Sequence, residues 1–117
     1  MILWASITAA TFNLVCNVEV PDVHGDTTGA EIIFRVDLRA RRYCVANCED
    51  TYSIQSFNKS RVVFEDARGV NGKRRIRIVS RKNGAYYFSI SDGNRTMKSE
   101  GRCVSAEFTG LSSGKAQ

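Results

Sequence analysis

Residues 32–48, IIFRVDLRARRYCVANC, constrain this chain more than any other stretch. Ile32, Phe34, Val36 and Leu38 fall on one side of an extended backbone; Ile33, Arg35, Asp37 and Arg39 fall on the other. A period of two with one apolar side sets one face in a core and the other in water. The strand then runs through a basic corner, Arg39 to Arg42, into Cys44 and Cys48. A core strand leading into a close cysteine pair predicts a small β domain held by disulfides.

The rest of the chain extends that pattern. Thr11 to Val20 alternates Phe12, Leu14, Cys16, Val18 and Val20 with Asn13, Asn17 and Glu19, and Pro21 ends the strand. A polar loop is expected over 21–30, then the strand Glu31 to Arg39. Further strands are expected over Thr51–Phe57, with Tyr52 and Ile54 inward, and over Arg61–Glu65, with Val62 and Phe64 inward. Arg74–Arg81 and Ala85–Ser91 form a hairpin, and Gly101–Phe108 is the last strand. No segment shows a useful helical period. The fold class is therefore all-β: a small antiparallel meander barrel or sandwich of about seven to eight strands, stapled by disulfides. With 117 residues it is a single domain, placed at 11–110, with 111–117 a flexible tail.

The hairpin register follows from its faces. A two-residue Asn83-Gly84 turn would oppose Ile78 to Ser89 and mix apolar with polar. A three-residue loop with Gly84 as a left-handed bulge opposes Ile78 to Phe88, Ile76 to Ile90, Arg77 to Ser89 and Val79 to Tyr87. That register gives one clean apolar face. It sets Arg75, Arg77 and Arg81 on the outer face with Tyr87.

Four cysteines allow three pairings. Cys44 and Cys48 enclose three residues and form the local pair, which leaves Cys16 in the first strand for Cys103 in the last. Two other readings stay open: reduced, buried thiols in a cytosolic protein, and a zinc site. Structural zinc favours two close cysteine pairs, and this chain has one. Residues 1–10, MILWASITAA, carry no charge and read as a signal-peptide remnant with a small-residue cleavage site at Thr8-Ala9-Ala10, or as a disordered start. With the disulfides, this predicts an oxidising compartment: periplasmic or secreted. No apolar run reaches the length of a membrane helix.

Motifs for catalysis are weak. His24 sits alone in a glycine-flanked loop. The Gly110-to-Gly114 match to G-x-S-x-G has too little chain after it for the helix that motif needs. Glu49-Asp50 and Glu65-Asp66 are neighbours in sequence and so point to opposite faces of a strand. The expectation is a protein that is not an enzyme and takes no cofactor and no metal. Charge says more. Between Ala67 and Ser91 lie Arg68, Lys73, Arg74, Arg75, Arg77, Arg81 and Lys82, with no acid. Residues 1–34 carry Glu19, Asp22, Asp26 and Glu31, with no lysine or arginine. A basic sheet face with an aromatic suits a polyanion, so Arg75, Arg77, Arg81 and Tyr87 are the candidate binding residues. The plain alternative is a solvated face that keeps an edge from aggregating.

Several motifs carry a resemblance: Phe12-x-Leu14-x-Cys16, Arg35-Val36-Asp37-Leu38, Arg42-Tyr43-Cys44-x-x-x-Cys48, Ile78-x-x-Arg81-x-x-Gly84 and Gly101-x-Cys103-x-x-x-x-Phe108. In this order the chain resembles a group of small, uncharacterised exported bacterial proteins. That resemblance implies export and no activity. A second likeness is to periplasmic inhibitors of c-type lysozyme, small barrels whose first-strand cysteine is bridged to a last-strand cysteine. Asn83-Gly84-Ala85-Tyr86-Tyr87 is similar to their Ser-Gly-x-x-Tyr loop, without the serine. The leading expectation is a monomeric, non-catalytic exported binding module for an unknown protein or anionic ligand. The alternatives are an inhibitor of a lysozyme-like enzyme and a cytosolic nucleic-acid-binding protein, the last not favoured.

Overall fold

The computed structural model describes residues 9–112, apart from Val23 and Asn71. The leader-like stretch therefore lies outside the described residues up to Thr8, and so does the tail from residue 113. Every element is a strand: β1 (Thr11–Pro21), β2 (Thr27–Asp37), β3 (Arg42–Val45), β4 (Tyr52–Ser53), β5 (Ser56–Phe57), β6 (Arg61–Arg68), β7 (Lys73–Ser80), β8 (Ala85–Asp92) and β9 (Thr96–Ala106). They form one antiparallel sheet in the order β4-β3-β2-β1-β9-β8-β7-β6-β5.

Two meanders, β1 to β4 and β5 to β9, are thus joined where β9 pairs with β1. Edges β4 and β5 are separated only by Ile54 and Gln55, so the sheet curls until its two ends meet at that corner. At the opposite end it stays open. β3 pairs with β2 only over Phe34–Asp37, and β5 pairs with β6 only at Val62 and Val63. Among the described residues, Thr27 to Ile32 of β2 and Phe64 to Arg68 of β6 have no strand outside them. These stretches are the two lips of a half-barrel.

The core lies on the concave face. Register sets Phe12, Leu14, Cys16 and Val18 of β1 with Phe34 and Val36 of β2, Tyr43 of β3, Cys103 of β9, Tyr86 of β8, Val79 of β7 and Val62 of β6. All are buried, with Phe64 stacked on Phe34 at 4.9 Å between ring centroids. Both expected disulfides are present. Cys16 and Cys103 stand directly opposite across the β1–β9 seam with Cα atoms 3.9 Å apart, and Cys44–Cys48 closes the corner loop. No cysteine is left as a thiol or metal ligand. Beside the seam bridge, Gly101 faces Val18 so closely that a Cβ would overlap the Asn17 carbonyl oxygen and lie 2.7 Å from the Val18 Cα.

The sheet differs from the sequence expectation in several places: β9 starts at Thr96 rather than Gly101 and ends at Ala106, β6 runs on to Arg68, and Val20 is exposed near the end of β1. The sheet also has nine strands rather than seven or eight, because the corner adds β3 and divides Thr51–Phe57 into β4 and β5. Thr27 to Ala30 belong to β2 rather than to a loop, since β1 pairs along their whole length. Tyr52 keeps the concave side opposite Tyr43, yet at the sheet edge it is half exposed. The β7–β8 loop has four residues, which shifts the hairpin by one.

Candidate functional site

The shifted hairpin decides where the arginines go. Val79 opposes Tyr86, Ile78 opposes Tyr87, and Arg77 opposes Phe88. Ser80 Oγ accepts hydrogen bonds from the Lys82 and Asn83 amides, and the Gly84 amide donates to the Ser80 carbonyl at 3.0 Å. Gly84 has φ near +75°, as expected for the left-handed position, but it closes a four-residue loop. A one-residue slip exchanges faces. Val79, Arg77 and Arg75 therefore join Tyr86, Phe88 and Ile90 on the concave face, while Ile76, Ile78 and Tyr87 go to the convex one.

This overturns the expected grouping of the four candidates. Arg75 and Arg77 are together, but inside the half-barrel. Tyr87 is behind them on the convex face. Arg81 lies in the loop at the closed end, where its amide donates to the Ser60 carbonyl at 2.7 Å and its guanidinium to the Asn58 carbonyl at 2.8 Å. Arg81 ties the β5–β6 turn to the β7–β8 loop.

Two arginines are stable on an inner face because aromatic rings and a carboxylate receive them. The Arg77 guanidinium sits 4.6 Å from the Phe88 centroid and 5.6 Å from that of Phe34, within the range of a cation–π contact. The Arg75 guanidinium lies 5.3 Å from the same Phe88 centroid. A bulge in β6 shifts the register between Val63 and Glu65. It turns both Phe64 and Glu65 inward, the first onto Phe34 and the second between the arginines. Arg75 Nε is 3.1 Å from Glu65 Oε2, and Arg77 Nη1 is 3.8 Å from Glu65 Oε1. One carboxylate thus serves two guanidinium groups. The Arg77 side chain is only 15% exposed, and its buried Nε has no hydrogen-bond partner among the described residues.

Two tyrosines border the cluster. Burial raises the pKa of Tyr86, and the neighbouring Arg77 pulls it the other way. Burial also raises that of Tyr43, with Glu65 adding to the effect. Toward the open end, Ala67, Lys73, Arg75, Ile90 and Asp92 line a groove of about 450 Å³. Its floor is apolar at Ala67 and Ile90 and its walls are basic. The Asp92 carboxylate is turned to the Asn94 and Arg95 amides, at 3.0 and 2.8 Å, which lowers its pKa. Ile90 and its opposite neighbour Met97 stay exposed at the mouth.

Sequence reasoning missed Glu65, Phe88 and Phe34 as partners of the arginines. The one signal was that both parities of β7 are partly apolar: Ile76 and Ile78 on one side, Val79 on the other. The chain matches no family model, no curated protein and no solved structure. The arrangement is fixed positive charge backed by aromatic rings beside an apolar groove.

Proposed function

We propose that this domain is a non-catalytic, exported binding module that holds an anionic ligand with an apolar body on its concave face. The observation that carries this reading is the pair of guanidinium groups sharing one carboxylate above Phe88. The cluster keeps an excess positive charge against aromatic rings and the apolar floor of the groove, where screening is weaker than in bulk water. The groove beside it supplies apolar contact for the rest of the ligand. Two disulfides support an oxidising compartment, in keeping with the exported proteins that the chain resembles.

The test uses octyl phosphate against octyl glucoside, which share an apolar chain and differ in charge. Calorimetric titration should show saturable binding of the phosphate alone, weakening as salt rises. Arg75→Gln should weaken it by about tenfold or more, as loss of a partly desolvated charge contact does. Arg81→Gln should leave it unchanged, because that side chain is at the far end. Equal binding of the glucoside, or an Arg75→Gln protein that binds like the parent, refutes the reading.

A further inference from the structure

The second lip has different chemistry. The Ile33 carbonyl accepts the Ala46 amide at 2.8 Å on the β3 side. Backbone direction repeats every two residues. The N–H and C=O groups of Glu31, Gly29 and Thr27 therefore point the same way, past the end of β3, where no described residue meets them. The segment Thr27-Thr28-Gly29-Ala30-Glu31-Ile32 contains no lysine, arginine or proline and no bulge against β1. Lysine, proline and bulges are common blocks to strand addition at an exposed edge, and this edge has none of the three; its one charge is Glu31.

Its side chains specify what would be added. On the convex face Gly29 opposes Glu19, and Glu19 in turn opposes Glu100 of β9. Glu31 follows on the same face. Like charges directly opposite one another repel. Among the described residues none of the three is ion-paired, although Lys98 and Arg102 flank Glu100 along β9. A Cβ on Gly29 would meet nothing within 4 Å. The missing side chain leaves a depression of about 380 Å³ between Asn17, Glu19 and Glu31. On the concave face the same edge shows Ala30 and Ile32.

We infer that the free edge of β2 receives an extended segment of a partner protein in which cationic and apolar residues alternate. Its backbone pairs with Thr27, Gly29 and Glu31. A lysine or arginine opposite Gly29 lies across the empty position toward Glu19, with Glu31 beside it. The apolar residues on either side turn to the concave face next to Ala30 and Ile32. Main-chain bonds hold the segment, and the alternate side chains select it. This inference is independent of the anion groove, which lies on the opposite lip and has the opposite charge.

The probe is a short peptide of alternating valine and lysine. Controls carry glutamate in place of lysine, or methyl groups on the backbone nitrogens. The lysine peptide should bind saturably and slow amide hydrogen exchange at Thr27, Gly29 and Glu31; neither control should do so. Gly29→Lys fills the depression with the protein's own cation. It should weaken binding by at least about tenfold while the protein melts like the parent. Glu19→Gln with Glu31→Gln should weaken binding as well, and Arg75→Gln should not. Equal binding of the glutamate peptide, or protection elsewhere with those three amides unchanged, overturns the inference. So does a dimer in sedimentation with the same amides already protected, which would give the edge to a second copy of the chain.

Discussion

The two lips of the half-barrel expose the same thing, a strand edge without a neighbour, and they treat it in opposite ways. On β6 the free residues include Glu65, Asp66 and Arg68, and a bulge twists the strand where pairing with β5 ends. Asp66 is tied to Arg74 at 3.2 Å and Glu65 to Arg75, so side chains crowd both faces of that edge. On β2 the corresponding residues are small, uncharged up to Glu31, and regular in register. Several charges and a bulge protect one edge from strangers; the other has no bulge and a single charge, Glu31. A protected edge frees the sheet face beside it for a ligand, whereas an unprotected edge is itself a surface for pairing.

Both lips depend on the β1–β9 seam, so the largest effect is expected there. Reducing Cys16–Cys103 releases a loop spanning 87 residues, worth about 4–5 kcal/mol by the loop-entropy relation. Gly101→Val should be as damaging, because the new side chain needs space held by the Asn17 carbonyl and Val18. Denaturant midpoints of both proteins measure this. If Gly101→Val keeps the parent midpoint, the seam is looser than described and the lips are not held by it.

The next experiment sets one lip against the other. Glu65→Gln leaves two guanidinium groups facing each other over Phe88 and should cost about 2–3 kcal/mol, as removing one partner of a partly buried charge cluster does. Glu31→Gln on the open edge should change stability by no more than about 0.5 kcal/mol. Equal effects would remove the distinction between a carboxylate built into a cluster and one left for a partner.

The sequence was legible where one side of a strand alone is apolar. β1 and β2 alternate cleanly, so their inward faces, the Cys16–Cys103 bridge and the general architecture could be read from residue order. β7 could not be read in this way. Its Ile76 and Ile78 claim the core by hydrophobicity, and Val79 claims it by position against Tyr86 and Val62. The contest is settled by Phe34 and Phe88, which accept the Arg77 guanidinium, and by a bulge that brings in Glu65. These are long-range contacts without a local pattern. The β2 edge was hidden for another reason: Thr27 to Ala30 look like a loop until β1 is seen paired along them.

Alkaline pH probes the inner cluster with a smaller effect. Tyr86 and Tyr43 have folded pKa values above the usual tyrosine value of about 10, chiefly through burial. Their stabilising contribution is complete below the unfolded pKa and is lost as pH rises through the folded one. The parent should therefore lose denaturant resistance above about pH 10, and Tyr86→Phe should flatten that decline. An unchanged alkaline slope in Tyr86→Phe would mean that Tyr86 is not sealed beneath the arginines.

The smallest effect concerns the convex side of the protected lip. The hydrogen bonds from Arg74 hold the Asp66 carboxyl below the usual aspartate range, and the charge of Arg74 acts in the same sense. A lowered folded pKa gives stability that is present above the unfolded value, near pH 4, and is lost as pH falls through the folded value. Asp66→Asn should therefore lower the midpoint slightly at neutral pH and match the parent in strong acid, so the two curves converge as pH falls. The pair is exposed, and exposed pairs contribute little, so the convergence is the readout rather than its size. Parallel curves would mean that Arg74 does not hold Asp66 in solution. The β6 edge would then be guarded by the bulge and the Glu65 cluster alone, and Asp66→Asn with Arg74→Gln should leave it as resistant to the valine–lysine peptide as the parent. If that double variant instead gains exchange protection along β6 when the peptide is added, the ion pair is the guard, and the difference between the lips lies in side-chain charge rather than in backbone geometry.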